Sequence, residues 1–317
     1  SLNILSVDYE VPIPKLDNEF KKELEKSDLD IVHIHSPFGV GAMGVRYAKK
    51  HNIPAIATLH SQYKQDFYRS TKNNALANLL TKRIMKVFNQ CDEYYAVNDK
   101  IAEIFYGYGA SHMPLVQRNG TDMLPVVNKE DAIELVNKKY GLERDTSVFL
   151  FVGRINALKN IFFILEALEK LKDNNFKMFY VGDGQDFEEL QKRVHKSCIA
   201  DKIVLTGKIT DRELLKALYL RAKLFLFPSM YDASSLVQIE AASQGTPTIF
   251  LKGSATSATV TDYKNGFLSD PTPEKFAEKI EEILSDDDLY KRVQEGAVRD
   301  LYVTWDECVK EIYQNIY

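Results

Sequence analysis

Cysteine is scarce in this chain of 317 residues, which contains three of them. Cys91, Cys198 and Cys308 are far apart in the sequence, with no CxxC pair and no cluster of histidine and cysteine. An odd number of scattered cysteines argues against a disulfide framework, and the lack of clustered ligands predicts no metal site. Unpaired thiols favour a reducing, cytoplasmic setting.

Long apolar runs and a large net charge are also lacking. No run approaches the roughly 18 apolar residues that cross a bilayer, and the polar opening residues do not resemble a signal peptide. We therefore expect at most peripheral membrane contact and leave membrane association open. The net charge of −4 predicts no nucleic-acid partner. The basic cluster of Lys82, Arg83 and Lys86 is interpreted as a solvated helix face.

The length predicts two domains, because 317 residues exceed what one core usually organises. In the second half, apolar strands alternate with amphipathic helices, which is typical of a doubly wound parallel α/β sheet. The predicted strands are Ser147–Val152, Lys177–Val181, Lys202–Leu205, Lys223–Phe227 and Thr248–Leu251, and the predicted helices are Asn160–Lys172, Asp186–His195, Asp211–Arg221 and Ser234–Ser243.

The first half repeats this alternation less completely. Its predicted strands are Ile31–His35, Ala55–His60, Glu93–Asn98, Leu115–Gln117 and a possible strand Asn3–Val7. Its predicted helices are one helix before Ile31 and the helices Gly41–His51, Asn73–Asn89 and Lys100–Tyr106. Pro125 and the polar stretch after it predict a junction. We expect an incomplete first domain over residues 1–124, a second domain over 125–303, and a C-terminal helix in 304–317 that packs back on the first domain.

One candidate site follows the strand Ser147–Val152. Gly153-Arg154 ends that strand and Lys159 opens the next helix, so backbone N–H groups and the positive helix end point at one place. Two cations on the same loop could hold a diphosphate. A surface turn with two solvated cations is the alternative.

A second candidate site lies in FLFPSMYDASSLVQIE, residues 225–240. Asp232 and Glu240 flank a helix N-terminus at which the amides of Ser234, Ser235 and Leu236 are expected to be free. A carboxylate can accept two vicinal hydroxyls, as on a ribose or a hexose. The alternative is that Asp232 caps the helix and Glu240 is solvated.

The order of these motifs resembles the retaining family 4 glycosyltransferases of the GT-B fold. That family has a Gly-Arg…Lys loop, a Gly-Asp-Gly turn and two glutamates with seven residues between them. The corresponding residues here are Gly153-Arg154…Lys159, Gly182-Asp183-Gly184 and Asp232…Glu240, and IVHIHSP (31–37), ATLHS (57–61), YAVND (95–99), RNGTD (118–122), NGFL (265–268) and Trp305 also stand in family order. The resemblance implies two Rossmann-like domains that face a cleft.

The resemblance also implies roles for single residues. Arg154 and Lys159 would hold the donor diphosphate and stabilise the leaving group, so that no metal is required. Asp232 and His60 would contact the transferred sugar, and Glu240 the ribose. The remaining donor-binding residues it implies are Gly153, Gly182, Asp183, Gly184, Thr206, Gly207, Lys208, Ser234, Ser235, Leu236 and Val237. His33 and His35 are interpreted as structural.

Two features depart from the family pattern. Asp232 stands where the family usually has glutamate, and Ala233-Ser234-Ser235 replaces its usual small-aromatic-Gly step. The usual first strand and Gly-rich loop do not precede IVHIHSP, so we expect about 60 residues of a typical first half-domain to be missing.

The predicted activity is transfer of a hexose from a nucleotide diphosphate sugar to an acceptor hydroxyl with retention at the anomeric carbon. UDP is predicted on its frequency in the family, and the acceptor could be a sugar or a lipid. The alternatives are a degenerate, non-catalytic nucleotide-sugar-binding protein and a nucleotide-sugar epimerase. The epimerase would need an acid/base set, for which His60 is the only convincing candidate.

Overall fold

The computed structural model describes residues 13–316, with side chains described through residue 314. The chain divides into two compact units, one ending at Arg118 and the other beginning at Asn119. The possible strand Asn3–Val7 lies outside the described residues. The boundary after residue 124 and the packing of the C-terminal helix on the first domain stay predictions.

The first unit is a parallel α/β layer. Its described elements are α1 (Asn18–Lys26), β1 (Val32–Ile34), α2 (Gly39–His51), β2 (Ala55–Leu59), α3 (Tyr63–Thr71), α4 (Asn74–Phe88), β3 (Glu93–Ala96), α5 (Asp99–Gly107) and β4 (Leu115–Val116). The four strands described there are parallel and lie in the order β1-β2-β3-β4. Strand β2 is buried along its whole length, as expected for an inner parallel strand.

The second unit is a larger parallel α/β domain. Its first elements are α6 (Lys129–Tyr140), β5 (Ser147–Val152), α7 (Ile161–Glu169), β6 (Phe176–Val181), α8 (Phe187–Lys196), β7 (Ile203–Gly207), α9 (Arg212–Arg221) and β8 (Leu224–Phe227). They are followed by α10 (Leu236–Ser243), β9 (Thr248–Leu251), β10 (Phe267–Ser269), α11 (Pro273–Ser285), α12 (Asp287–Leu301) and α13 (Trp305–Ile316).

The strand order of this sheet reverses at its centre. The order is β10-β9-β8-β5-β6-β7, with every pair parallel. The chain therefore builds outward from β5 through β6 to β7, returns to β8 on the other side of β5, and continues to β10. In doubly wound sheets a crevice opens at the carboxyl ends of the two strands where the order reverses. Here these strands are β5 and β8.

Aromatic side chains hold the two central strands together. Phe151 of β5 stacks on Phe227 of β8, with ring centroids 6.1 Å apart, and Phe225 lies 5.7 Å from Phe227. All three are buried, and burying one such side chain contributes about 1.5–3 kcal/mol. The carboxyl ends of β5 and β8 therefore lie next to a buried aromatic cluster of the core.

The two Rossmann-like domains expected from the sequence are present, and each strand predicted within the described residues lies within one or two residues of its predicted position. The sequence analysis did not predict α3, α6, α11, α12 or β10. Helix α6 forms in the polar stretch after Pro125, where Val136 and Asn137 are its only buried residues, so its apolar stripe is too weak to stand out. Helices α11 and α12 are capped by Thr272 and Asp286, a signal that was present in the sequence.

Candidate active site

Three loops meet at the carboxyl edge of the second sheet, after β5, β6 and β7. The amide of Gly153 donates to Val181 O at 3.0 Å, and the amide of Ile155 donates to Asp183 O at 2.9 Å. The amide of Gly182 donates to Gly207 O at 2.9 Å. The predicted diphosphate loop and the predicted donor-binding turns after β6 and β7 therefore form one hydrogen-bonded surface.

Glycine is required where the loops after β5 and β6 cross. Gly182 has φ 141°, and a Cβ there would lie 1.8 Å from Gly153 O. A Cβ at Gly184 would lie 2.4 Å from Ile155 O. Both distances are far below van der Waals contact, so the motif Gly182-Asp183-Gly184 permits the close approach of two backbones.

The loop after β5 is tied to the loop after β8. Asn160 adopts a left-handed conformation, with φ 55°, and its side chain donates to Pro228 O at 2.7 Å. Ser229 Oγ donates to Leu158 O at 3.3 Å. Asn156 Oδ1 accepts from the amide of Lys159 at 3.2 Å and so caps the short 3₁₀ turn that carries Lys159. These bonds place Lys159 over the crevice.

Lys159 and Asp232 form an ion pair in the crevice. Nζ of Lys159 donates to Oδ1 of Asp232, and the two side chains are 21% and 18% exposed. The ammonium also lies 5.7 Å from the ring centroid of Phe227. The second oxygen, Oδ2, is buried and has no hydrogen-bond partner within the described structure. An unsatisfied buried carboxylate oxygen is costly, so this atom is suited to accept from a bound hydroxyl.

The N-terminus of α10 lies next to Asp232. Ser235 is the N-cap and makes no capping bond with its side chain, and Leu236 is 45% exposed. In the part of the chain that the structure describes, no hydrogen bond is made by the amides of Ser234, Ser235 and Leu236. Such a helix end attracts anions and other acceptors. Ser234 Oγ accepts from Asn119 Nδ2 at 3.2 Å, a contact that the sequence analysis did not anticipate.

Glu240 lies on the second turn of the same helix. Its Oε2 accepts from the hydroxyl of Tyr219 at 2.9 Å. Burial raises the pKa of Glu240, and the bond from Tyr219 and the charge of Arg212 oppose that rise. Arg212 is paired with Asp122 at 2.7 Å. The sequence did not indicate Tyr219 or Arg212 as site residues. A tyrosine on the buried face of α9 was the available signal, because its hydroxyl needs a hydrogen-bond partner.

The remaining predicted residues lie on the same edge of the sheet. Thr206 Oγ1 donates to Gly207 O at 2.8 Å, Gly207 has φ 68°, and Lys208 is exposed. Arg154 and Asp183 are also exposed, while Val237 is half-buried on α10. The predicted donor-binding residues of the second unit are thus assembled at the carboxyl edge, and their roles stay predictions.

The first unit contains a cluster of three imidazole rings. His60 Nε2 lies 2.9 Å from His35 Nδ1, and the ring centroids of His33 and His35 are 4.4 Å apart. Nε2 of His33 lies 2.7 Å from Thr58 Oγ1. Loss of hydration and the neighbouring rings lower the pKa of His33 to about 4, and the same causes lower the pKa of His60. His35 directly follows β1, and the lowered pKa values keep His33 and His60 neutral at neutral pH.

We expect this cluster to make stability depend on pH. The pKa of His33 is lower in the folded than in the unfolded chain, so the folded state binds fewer protons between pH 6.5 and about 4. The contribution of His33 to the free energy of unfolding is therefore fully present above pH 6.5 and is lost as the pH falls from 6.5 to about 4. Because His33 is still partly exposed, we expect His33→Asn to reduce the fall in Tm by only about 2–4 °C.

Calorimetry at a series of pH values measures this effect. His195→Asn is the matched control, because His195 is exposed on α8. If His33→Asn left the acid slope of Tm as steep as the control does, protonation of His33 would not be its cause.

The described residues contain neither a metal-binding cluster nor a helix that could span a membrane. No group of three or more histidine, cysteine, aspartate or glutamate side chains in residues 13–314 has an arrangement that could hold a metal ion. Among the helices that the structure describes, none is both long enough and apolar enough to cross a membrane.

Two family models match the chain. The model for glycosyl transferases group 1 matches residues 132–300, which is more than half of the chain, and the model for Glycosyltransferase Family 4 matches residues 6–123. The first match covers β5 to α12 and therefore the loops that carry Lys159, Asp232 and Glu240.

Relatives of known name are also similar. Alpha-monoglucosyldiacylglycerol synthase of Streptococcus pneumoniae is 26% identical over 73% of this chain and 54% of its own length, and the enzyme of the same name from Acholeplasma laidlawii is 25% identical over 78% and 65%. The UDP-Gal:alpha-D-GlcNAc-diphosphoundecaprenol alpha-1,3-galactosyltransferase of Escherichia coli is 28% identical over 78% and 64%. The chain thus spans between half and two thirds of the length of these relatives.

Solved structures share the fold. HepE of Anabaena, in complex with UDP-glucose, superposes with a TM-score of 0.80 at 16% identity, over 96% of this chain and 84% of its own. TarM superposes with a TM-score of 0.70 at 16% identity, over 90% of this chain and 55% of its own. At such identities the likeness establishes the fold. The family model that matches more than half of the chain shows that this chain belongs to the glycosyl transferases group 1 family.

Proposed function

We propose that the protein transfers a hexose from a UDP-sugar to an acceptor hydroxyl with retention of anomeric configuration. The observation that carries the proposal is the grouping of Lys159, Asp232 and the N-terminus of α10 where the strand order reverses, with Glu240 one turn further along. A cation, free amides and carboxylates in one crevice match the diphosphate, sugar and ribose of such a donor.

The proposed chemistry needs no nucleophile from the protein. The bond from the anomeric carbon to the diphosphate oxygen breaks while the acceptor oxygen bonds to the same face of the sugar. The leaving diphosphate takes the proton of the acceptor hydroxyl. Lys159 and Arg154 stabilise the charge that develops on the diphosphate, which is the role usually given to a metal. Asp232 is proposed to contact the sugar, and the role of His60, which belongs to the first unit, stays a prediction.

The base is proposed to lie against Gly182, Gly184 and the turn Thr206-Gly207-Lys208. HepE was solved with UDP-glucose, and the relative from Escherichia coli is named for a UDP-galactose donor. These names support a UDP-sugar. The acceptor is proposed to be a sugar or lipid hydroxyl, since relatives are named for diacylglycerol and diphosphoundecaprenol products or substrates. A cytoplasmic setting stays a prediction.

Incubation with UDP-glucose, UDP-galactose and UDP-N-acetylglucosamine, with detection of released UDP, tests the proposal. We expect one donor to give release that increases with added acceptor, and NMR of the product to show the donor's anomeric configuration. Thermal shift with UDP, GDP and ADP separates the alternative, because a binding protein without activity would be stabilised by one nucleotide. Binding without release from any donor would favour that non-catalytic function, and inversion would exclude the same-face mechanism.

We expect Asp232→Asn to bind UDP more tightly while transferring sugar more slowly. The carboxylate neutralises Lys159 in the unliganded crevice, so its removal leaves the ammonium to the diphosphate, with an expected gain of about three- to tenfold in affinity. Transfer should fall at least about tenfold because the sugar loses a charged acceptor. Calorimetric titration with UDP and the release assay measure both effects.

Asp145→Asn is the control for this variant, since Asp145 is an exposed carboxylate on the loop before β5, away from the carboxyl edge of the sheet. Weaker UDP binding in Asp232→Asn would mean that Asp232 holds Lys159 in place and does not compete with the diphosphate for it.

A further inference from the structure

Tyr219 is held rigidly beneath the candidate ribose-binding carboxylate. The side chain is fully buried, and its ring lies 5.7 Å from that of Phe225. Its backbone carbonyl accepts from Thr246 Oγ1 at 2.5 Å. The hydroxyl donates to Oε2 of Glu240 at 2.9 Å. The phenol is therefore fixed at its ring, its backbone and its hydroxyl, and it reaches Glu240 from the interior of the domain.

The carboxylate keeps enough acceptor capacity for a ligand. An ionised glutamate has about four lone-pair sites, of which the bond from Tyr219 uses one. Oε1 of Glu240 has no hydrogen-bond partner within the described residues. A glutamate on a helix surface ordinarily samples several rotamers, and holding it in one of them costs conformational entropy. The bond from Tyr219 removes part of this cost before any ligand binds.

We propose that Tyr219 is a positioning residue for ribose recognition, which aims the carboxylate of Glu240 at the two ribose hydroxyls of the nucleotide. The inference rests on the proposed function, because it assumes a nucleotide donor, and it extends that function to a residue that does not touch the donor. It predicts a preference for nucleotides that carry both the 2′ and the 3′ hydroxyl. Tyr219 controls this preference through Glu240.

The experiment compares UDP with 2′,3′-dideoxy-UDP by calorimetric titration of the whole chain. The wild type is expected to bind UDP the more tightly. Tyr219→Phe removes one oxygen atom and leaves the ring packing unchanged, so Glu240 becomes mobile. We expect its affinity for UDP to fall about tenfold, and its affinity for the dideoxy nucleotide to stay within about twofold, so that the ratio of the two affinities falls.

Tyr180→Phe is the matched control. Tyr180 is fully buried in the same unit, and its hydroxyl donates to Ile161 O at 3.1 Å, away from Glu240. This control loses the same atom and a comparable bond, and we expect its ratio of affinities to equal that of the wild type. The titration stoichiometry reports the folded fraction of each variant, so partial unfolding does not alter the ratio.

Two outcomes would overturn the inference. Tyr219→Phe could leave the ratio of the two affinities unchanged, and an equal loss of both would be the result of a purely structural role. The wild type could also bind UDP without preferring it over the dideoxy nucleotide, in which case Glu240 does not recognise the ribose. If the wild type binds neither nucleotide, the proposed UDP-sugar donor itself fails, and this result is distinct from the other two.

Discussion

Lys159→Met should lower kcat by about 10²–10³ fold, as the loss of one charged group that stabilises a developing anion does in other enzymes. The methionine keeps an unbranched apolar side chain as long as the four-carbon stem of lysine, so the variant removes mainly the charged ammonium group. That charge lies over the crevice between β5 and β8, where a leaving diphosphate is proposed to depart. The release assay at saturating donor measures the loss.

The ion pair between Lys159 and Asp232 means that Lys159→Met also affects stability, and it suggests a control variant. Without Lys159, the buried carboxylate of Asp232 has no cation beside it, which is strongly unfavourable, so Lys159→Met should also lower Tm. The double variant Lys159→Met, Asp232→Asn removes the unpaired charge. It should recover most of the Tm and none of the activity.

Lys291→Met is the second control, because Lys291 is exposed on α12 and lies outside the candidate site. Its kcat should match the wild type. If the double variant recovered activity together with Tm, the effect of Lys159 would be one of stability, and its proposed catalytic role would be wrong.

Gly182→Ala should abolish most UDP binding and lower Tm. A Cβ at this position lies 1.8 Å from Gly153 O, and backbone atoms cannot yield as a flexible side chain does. The loops after β5 and β6 must separate, which breaks the bonds Gly153 N to Val181 O and Ile155 N to Asp183 O. We expect a loss of about 2–4 kcal/mol of stability and a loss of UDP affinity of more than about tenfold.

Gly141→Ala is the control for this variant, because it places alanine in a left-handed backbone conformation without a steric clash. Gly141 has φ 62° and ends α6, and a Cβ there would contact nothing within 4 Å. The control variant should lose only the stability that left-handed backbone costs alanine, about 1–2 kcal/mol. Denaturation and UDP titration of both variants give the comparison. Equal effects on UDP binding would show that the crossing of the two loops does not shape the nucleotide site.

Much of the fold was predictable because it follows from local sequence patterns, such as apolar runs and helix caps. Apolar runs such as Ser147–Val152 and Thr248–Leu251 coincide with strands of the structure, since a strand buried on both faces must be apolar throughout. Asp211 was expected at an acidic helix start, and its side chain accepts from the amides of Glu213 and Leu214. Helix α6 escaped prediction because few of its residues are buried, so its pattern is weak.

The candidate site was predictable only in part. Gly153, Lys159 and Glu240 were selected by their place after strands and at helix starts, where backbone donors and charges converge. The partners of these residues were not, because each partner is remote in sequence. Tyr219 precedes Glu240 by 21 positions and lies on another helix, and Asn119 precedes Ser234 by 115.

The sequence by itself determined the alternating α/β elements of both units and the short list of loops at which a donor could bind. It also placed glycine at positions 182 and 184, while the structure showed that the absence of a Cβ there lets the two loops cross. The tertiary structure alone decided that Lys159 meets Asp232, 73 positions later, and that Tyr219 supports Glu240. The physical reason is the reversal of strand order, which places β8 beside β5 and so pairs two loops that no local pattern connects.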